Sequence, residues 1–159
     1  MYQLLKHHAE VPGLLINSTQ PKRDARMITG LNHITLAVSD LERSLHFYTE
    51  LLGLKGHVAW ENGAYLSVGS LWLCLSVDQI GEKNDYTHFA FSVSKSDFED
   101  CCNKLLNSGV EQWKINKSEG DSLYFLDPDG HKLELHVGGL ESRLESLRDN
   151  PYSKMRWLS

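Results

Sequence analysis

Three residues can do chemistry together: His33 in L-N-H-I-T-L, His88 in Y-T-H-F-A-F and Glu134 in K-L-E-L-H-V. Two imidazoles and one carboxylate can hold a divalent metal and still leave coordination positions open for a substrate. A single strand histidine reads most simply as a hydrogen-bonded structural residue. Two histidines repeated at matching places, with a carboxylate on a third strand, are hard to explain by core packing alone. His136 has the same strand parity as Glu134 and is its rival as a ligand. His131 follows a turn glycine and is expected to face solvent. His46 inside a helix and His57 at a strand start are expected to be structural or exposed, and His7-His8 to be a solvated pair.

A second constellation runs from Lys114 to Tyr124, K-I-N-K-S-E-G-D-S-L-Y. Its ammonium and hydroxyl donors can cup an oxyanion, and its carbonyl and hydroxyl oxygens can hold a monovalent cation. The plain alternative is a polar hairpin loop. Tyr65 and Trp72 stand on adjacent strand candidates, where aromatic core filling is the competing explanation. Cys74 reads as a small packing residue rather than a ligand.

The elements that must position these residues form a duplicated unit. Asn32–Ser39 (N-H-I-T-L-A-V-S) lines up with Thr87–Ser94 (T-H-F-A-F-S-V-S), and both alternate as strands do. Each string leads into a helix, with Ser39-x-x-Glu42 and Ser96-x-x-Glu99 as capping-box patterns and Gly53 and Gly109 as stops. Short strands follow: 55–60, 64–68 and 71–77 in the first copy, 111–116, 122–126 and 132–137 in the second. Asp127-Pro128-Asp129-Gly130 marks a tight turn. Each copy therefore predicts β-α-β-β-β, an α+β class, with modules at 29–78 and 86–137 and a C-terminal helix and tail over 138–159. Residues 1–26, broken by Pro12-Gly13 and Pro21, read as a flexible extension of a single 27–159 domain. Neither module can bury a sheet face alone, so the two are expected to pack together or pair across subunits.

Bulk properties narrow the function classes. The formal charge of −5 argues against nucleic acid as a partner. Three cysteines, Cys74 and the adjacent Cys101 and Cys102, make a poor disulfide framework and point to a reducing, cytoplasmic setting. No apolar run is long enough to cross a membrane.

From Met27 onward the chain resembles the manganese-dependent fosfomycin glutathione transferases of the vicinal oxygen chelate (glyoxalase/bleomycin resistance/dioxygenase) superfamily. The strings that carry the resemblance are G-L-N-H-I-T-L-A-V, G-A-Y-L, L-W-L-C-L-S, D-Y-T-H-F-A-F, N-K-S-E-G-D-S and Y-F-L-D-P-D-G-H-K-L-E-L-H-V-G, in that order. The resemblance implies paired βαβββ modules forming a cupped mixed sheet, and a module-exchanged homodimer with active sites built from both chains. It implies His33, His88 and Glu134 as Mn2+ ligands, with His33 from one subunit, and so favours Glu134 over His136. Thr35, Trp72, Lys114, Ser118, Ser122, Tyr124 and Arg143 match substrate-binding positions. Tyr65 matches the residue beside the attacking thiol, and Thr35 shares its catalytic setting. Asn116, Ser118, Gly120 and Ser122 match a K+ loop. The implied substrates are fosfomycin and glutathione.

Four positions mark the branch. Gly63 stands near where water-using relatives place a glutamate base, and Thr35 stands where bacillithiol users carry cysteine; both favour glutathione. Lys117 stands where arginine is common in the N-R-S-E-G string, and Asn62 differs from the residue often found in the glutathione-binding strand. An Fe(II) ring-cleaving dioxygenase and a non-catalytic drug-binding dimer are the alternative expectations for this fold.

Overall fold

The computed structural model describes residues 28–158, so the expectations for the extension and for His7-His8 lie outside the described residues. The compact unit begins at Leu31. It carries two four-stranded sheets of identical connectivity. The first orders its strands β1-β4-β3-β2 and the second β5-β8-β7-β6. Strands β1 (His33–Val38), β2 (Lys55–Trp60), β3 (Gly63–Val68) and β4 (Leu71–Val77) form the first; β5 (Phe89–Ser92), β6 (Gln112–Lys114), β7 (Ser122–Leu126) and β8 (Lys132–His136) form the second. In both, the opening strand runs parallel to the last one and the remaining pairs are antiparallel. The β-α-β-β-β repeat is thus present twice.

Alternation decides what each strand buries. On β1, Leu36 and Val38 enter the core while His33 and Thr35 stay exposed. On β8, Leu133 and Leu135 enter the core while Glu134 and His136 take the other face. Phe47, Tyr48, Leu66, Leu73 and Leu75 join Leu105, Leu123 and Phe125 in one apolar cluster, so both modules share a core within one chain.

Both helix starts differ from the capping-box expectation. Helix α1 (Leu41–His46) is capped by Asp40, whose carboxylate accepts from the Arg43 N–H at 3.0 Å. Ser39 is instead drawn to Asp129, donating its hydroxyl at 2.5 Å and its N–H at 3.1 Å. At α2 (Phe98–Asn107), the hydroxyl of Ser94 accepts from the Asp97 N–H, and no side chain caps the helix in Ser96's place. The first helix also changes pitch, continuing as a π turn over Phe47–Leu51. Helix α3 (Leu140–Asp149) falls where expected.

The β7–β8 turn ties the modules together. Asp127 accepts from Tyr48 Oη at 2.7 Å and from the His131 and Asp129 N–H groups at 2.7 and 3.0 Å. Burial first, then the adjacent Asp127 charge, raises the Tyr48 phenol far above its ordinary value, so it remains the donor. Asp129 also accepts from Arg43 at 2.8 Å. His131 is buried rather than solvent-facing: its Nε2 donates to the Ala37 carbonyl on β1 at 2.7 Å. A turn read as an exposed punctuation mark is therefore a polar latch.

Candidate metal and substrate site

The second sheet gathers the polar half of the site. His88 lies one residue ahead of β5, and its Nδ1 faces the Tyr86 carbonyl at 2.9 Å. A carbonyl only accepts, so Nδ1 holds a proton and Nε2 is the nitrogen that turns to Glu134. That Nε2 stands 3.0 Å from Glu134 Oε2, and Glu134 is almost wholly buried. An imine nitrogen and a carboxylate oxygen at this distance require a shared cation, either a proton or a metal. The donor set therefore fits a divalent ion. The second carboxylate oxygen, Oε1, accepts from Ser122 Oγ at 2.6 Å.

Around this pair lies a cavity of about 390 Å³, whose walls include Lys114, Ser118, Tyr124, His136 and Arg143 as well as His88 and Glu134. The Lys114 ammonium sits 4.6 Å from the Tyr86 ring centre and 4.4 Å from that of Tyr124, and donates to the Tyr86 hydroxyl. That hydrogen bond, outweighing partial burial, raises its pKa and keeps it cationic. Asn116 organises the loop beyond: its Oδ1 accepts from Ser118 N–H and Oγ, both at 3.0 Å, and its amide donates to the Gly120 carbonyl at 2.7 Å. Gly120 adopts φ of 82°, a conformation glycine tolerates best. Arg143 on α3 faces Glu119 at 3.6 Å.

The first sheet carries the aromatic half. Register places His33 beside Trp72, and Cys74 between Thr35 and Tyr65. His33 is exposed, with Nδ1 2.8 Å from Asn32 Oδ1 and its ring 4.7 Å from Trp72. Tyr65 meets Trp72 at 5.0 Å and Trp60 at 4.8 Å, both edge-on. Cys74 is buried, in keeping with a packing role.

The structure thus joins His88 to Glu134, and Lys114, Ser118, Ser122, Tyr124 and Arg143 to the same face. It places His33, Thr35, Tyr65 and Trp72 on the other sheet. Among the described residues of one chain, no three His, Cys, Asp or Glu side chains converge on a metal position. Tyr86, Trp113 and Tyr152 are lining or supporting residues that escape a sequence reading, and His136, the rival ligand, lines the cavity wall. Tyr86 shares the parity of His88, a usable signal. Trp113, which packs 5.7 Å from His88 and 5.3 Å from Tyr124, falls in a register shift of β6 that hides its direction. Tyr152 follows Pro151 in irregular chain. A separate cavity of about 430 Å³, walled in part by Phe47, Leu51 and Val110, holds none of the site residues.

Residues 30–135 match the model of the glyoxalase/bleomycin resistance protein/dioxygenase superfamily. The chain belongs to this superfamily. It is 54% identical over 138 residues to the glutathione transferase FosA of Serratia marcescens, covering 84% of this chain and 98% of that one. It is 42% identical over 130 residues to the metallothiol transferase FosB of Staphylococcus haemolyticus, covering 77% and 94%. Among solved structures, the fosfomycin resistance protein FosX of Listeria monocytogenes superposes with a TM-score of 0.70 at 31% identity, covering 76% and 99%. A variant of that protein complexed with Mn(II) and 1S,2S-dihydroxypropylphosphonic acid gives 0.68 at 30% identity, covering 74% and 99%.

Proposed function

We propose that this chain is a metal-dependent glutathione S-transferase that inactivates fosfomycin by adding the glutathione thiolate to its epoxide. The observation that carries the proposal is the His88–Glu134 acceptor pair at 3.0 Å, set beside a cationic, hydroxyl-rich cavity. The 54% identity to a glutathione transferase over nearly all of that enzyme's length supports the same activity. Mn2+ is the metal we assign, with K+ at Asn116, Ser118, Gly120 and Ser122. His33 of the partner subunit supplies the third ligand in a homodimer, which accounts for its exposed position on the opposite sheet.

A bound divalent metal supplies Lewis-acid stabilisation of the oxygen released as the ring opens. The remaining work belongs to side chains. Lys114 and Arg143 neutralise the phosphonate, Tyr124 offers a hydroxyl donor and Ser118 lines the same cavity, which fixes the epoxide carbon for in-line attack. Tyr65 of the partner subunit stands by the thiol and favours its thiolate. Thr35 faces the oxirane from the same sheet, and Trp72 walls the substrate carbons. Sulfur bonds to carbon, the carbon–oxygen bond breaks, and the oxygen takes up a proton.

Water is a poor nucleophile for this site. A Cβ at Gly63 would meet the Leu75 carbonyl at 2.7 Å and the Trp60 ring at 2.5 Å, so no carboxylate base fits there without backbone movement. No feature favours the dioxygenase or the drug-sequestering reading.

The test is fosfomycin consumption by Mn2+- and K+-loaded protein with glutathione, bacillithiol, cysteine or water as the nucleophile. The expected result is turnover with glutathione above the other three. Absence of turnover rejects the proposal.

A further inference from the structure

His136 has the parity of a metal ligand but is committed elsewhere. Its Nδ1 lies 2.8 Å from Ser122 Oγ, and Ser122 Oγ lies 2.6 Å from Glu134 Oε1. A serine hydroxyl has one proton to give. The carboxylate accepts only, so that proton goes to Glu134. Nδ1 of His136 must then donate to the serine oxygen. Its 3.4 Å approach to Glu134 Oε1 agrees with a protonated Nδ1.

The opposite side of the ring is fitted to backbone. A Cβ at Gly120 would come within 2.9 Å of His136 Cε1 and 2.7 Å of the Val137 carbonyl, and one at Gly138 within 3.4 Å of Nε2. The Val137 N–H donates to the Asp121 carbonyl at 2.9 Å, closing the same seam. The ring is therefore gripped by glycine backbone on one edge and bonded to Ser122 on the other.

We infer that His136 is a positioning residue that orients the Ser122 hydroxyl onto Glu134 and seats the Asn116–Ser122 loop against the metal-ligand strand. The inference rests on the proposed role of Glu134 and reassigns Ser122. Its proton is spent on the carboxylate, so Ser122 has oxygen lone pairs to offer a monovalent cation but no hydrogen to offer a phosphonate. An outer partner of this kind fixes the orientation and basicity of the ligand it touches.

The experiment is an electron paramagnetic resonance titration of full-length wild type, His136→Leu and His136→Asn with Mn2+, alongside fosfomycin KM and kcat at varied K+. His136→Leu should weaken Mn2+ binding by about 10-fold or more, the loss typical of outer-shell changes. His136→Asn, whose amide can stand near the Nδ1 position, should recover most of it. Ser122→Ala, measured at saturating K+, should show the same loss of Mn2+ affinity, because it removes the hydroxyl that Glu134 accepts from. Wild-type Mn2+ affinity in His136→Leu, or an Asn variant no better than Leu, overturns the inference. Should His136→Leu fail to fold, Ser122→Ala decides: wild-type metal affinity there, or a loss confined to KM, overturns it. Failure of the wild-type protein to bind Mn2+ at all would instead reject the proposed function.

Discussion

The two sheets share one connectivity and present opposite kinds of surface. The second sheet's open face is wired in advance: His88, Glu134, Ser122 and His136 form a continuous run of polar contacts. The first sheet's face is a ladder of rings, with Trp60, Tyr65, Trp72 and His33 touching in sequence. Among the described residues, His33 has only Asn32 to hold its nitrogen. A duplicated scaffold has thus specialised, one copy for charge and one for apolar walls. The proposed mechanism draws on both, and among the described residues a single chain presents them on separate sheets.

The sharpest way to break this comparison is complementation. His33→Ala and Glu134→Gln should each lose more than the roughly 100-fold that an outer-shell change costs. Mixing the two with subunit exchange should restore about a quarter of wild-type activity. Half of the dimers are then mixed, each with one intact site of two. No recovery on mixing would mean that the halves meet within one chain.

Next in size is Gly63→Glu, the change that would test conversion to water use. It should give no hydrolase and should cost about 1–3 kcal/mol in chemical denaturation, as expected of overpacking against a carbonyl and an indole. Tyr48→Phe targets the latch joining the modules. Removing the hydroxyl from a buried carboxylate should cost about 1.5–3 kcal/mol, with Mn2+ affinity nearly unchanged.

The smallest effect is confined to acid. Burial works to raise the Asp129 pKa, but hydrogen bonds from Ser39 and the Arg43 charge outweigh it, and the net shift is downward. A carboxylate depressed in the folded state adds stability above its unfolded pKa and loses it as pH falls through the folded value. Asp129→Asn should therefore flatten the acid limb of a stability–pH profile; a limb as steep as wild type would show that the latch is not electrostatic.

Much of this comparison is legible in the sequence. Alternation on β1 and β8 shows that His33 turns away from Leu36 and that Glu134 turns away from Leu133, because period two allows no other face. The repeat of N-H-I-T-L-A-V-S exposed the modules. What sequence could not show was non-local. Ser39 satisfies a capping pattern with Glu42, yet Asp129, 90 residues away, wins its hydroxyl. His131 looks like a turn residue until β1 supplies a carbonyl for it. Trp113 has no readable direction because β6 slips register beside it.

One edge of the molecule has a further consequence. All six residues of β2 stand in solvent, Val58 and Trp60 included. In the proposed dimer, a chain with so much unfinished sheet should work only after it meets its double. Below the dissociation constant of that pairing, activity per cell would rise with the square of expression, so gene dosage would set the protection threshold more steeply than a monomeric enzyme allows.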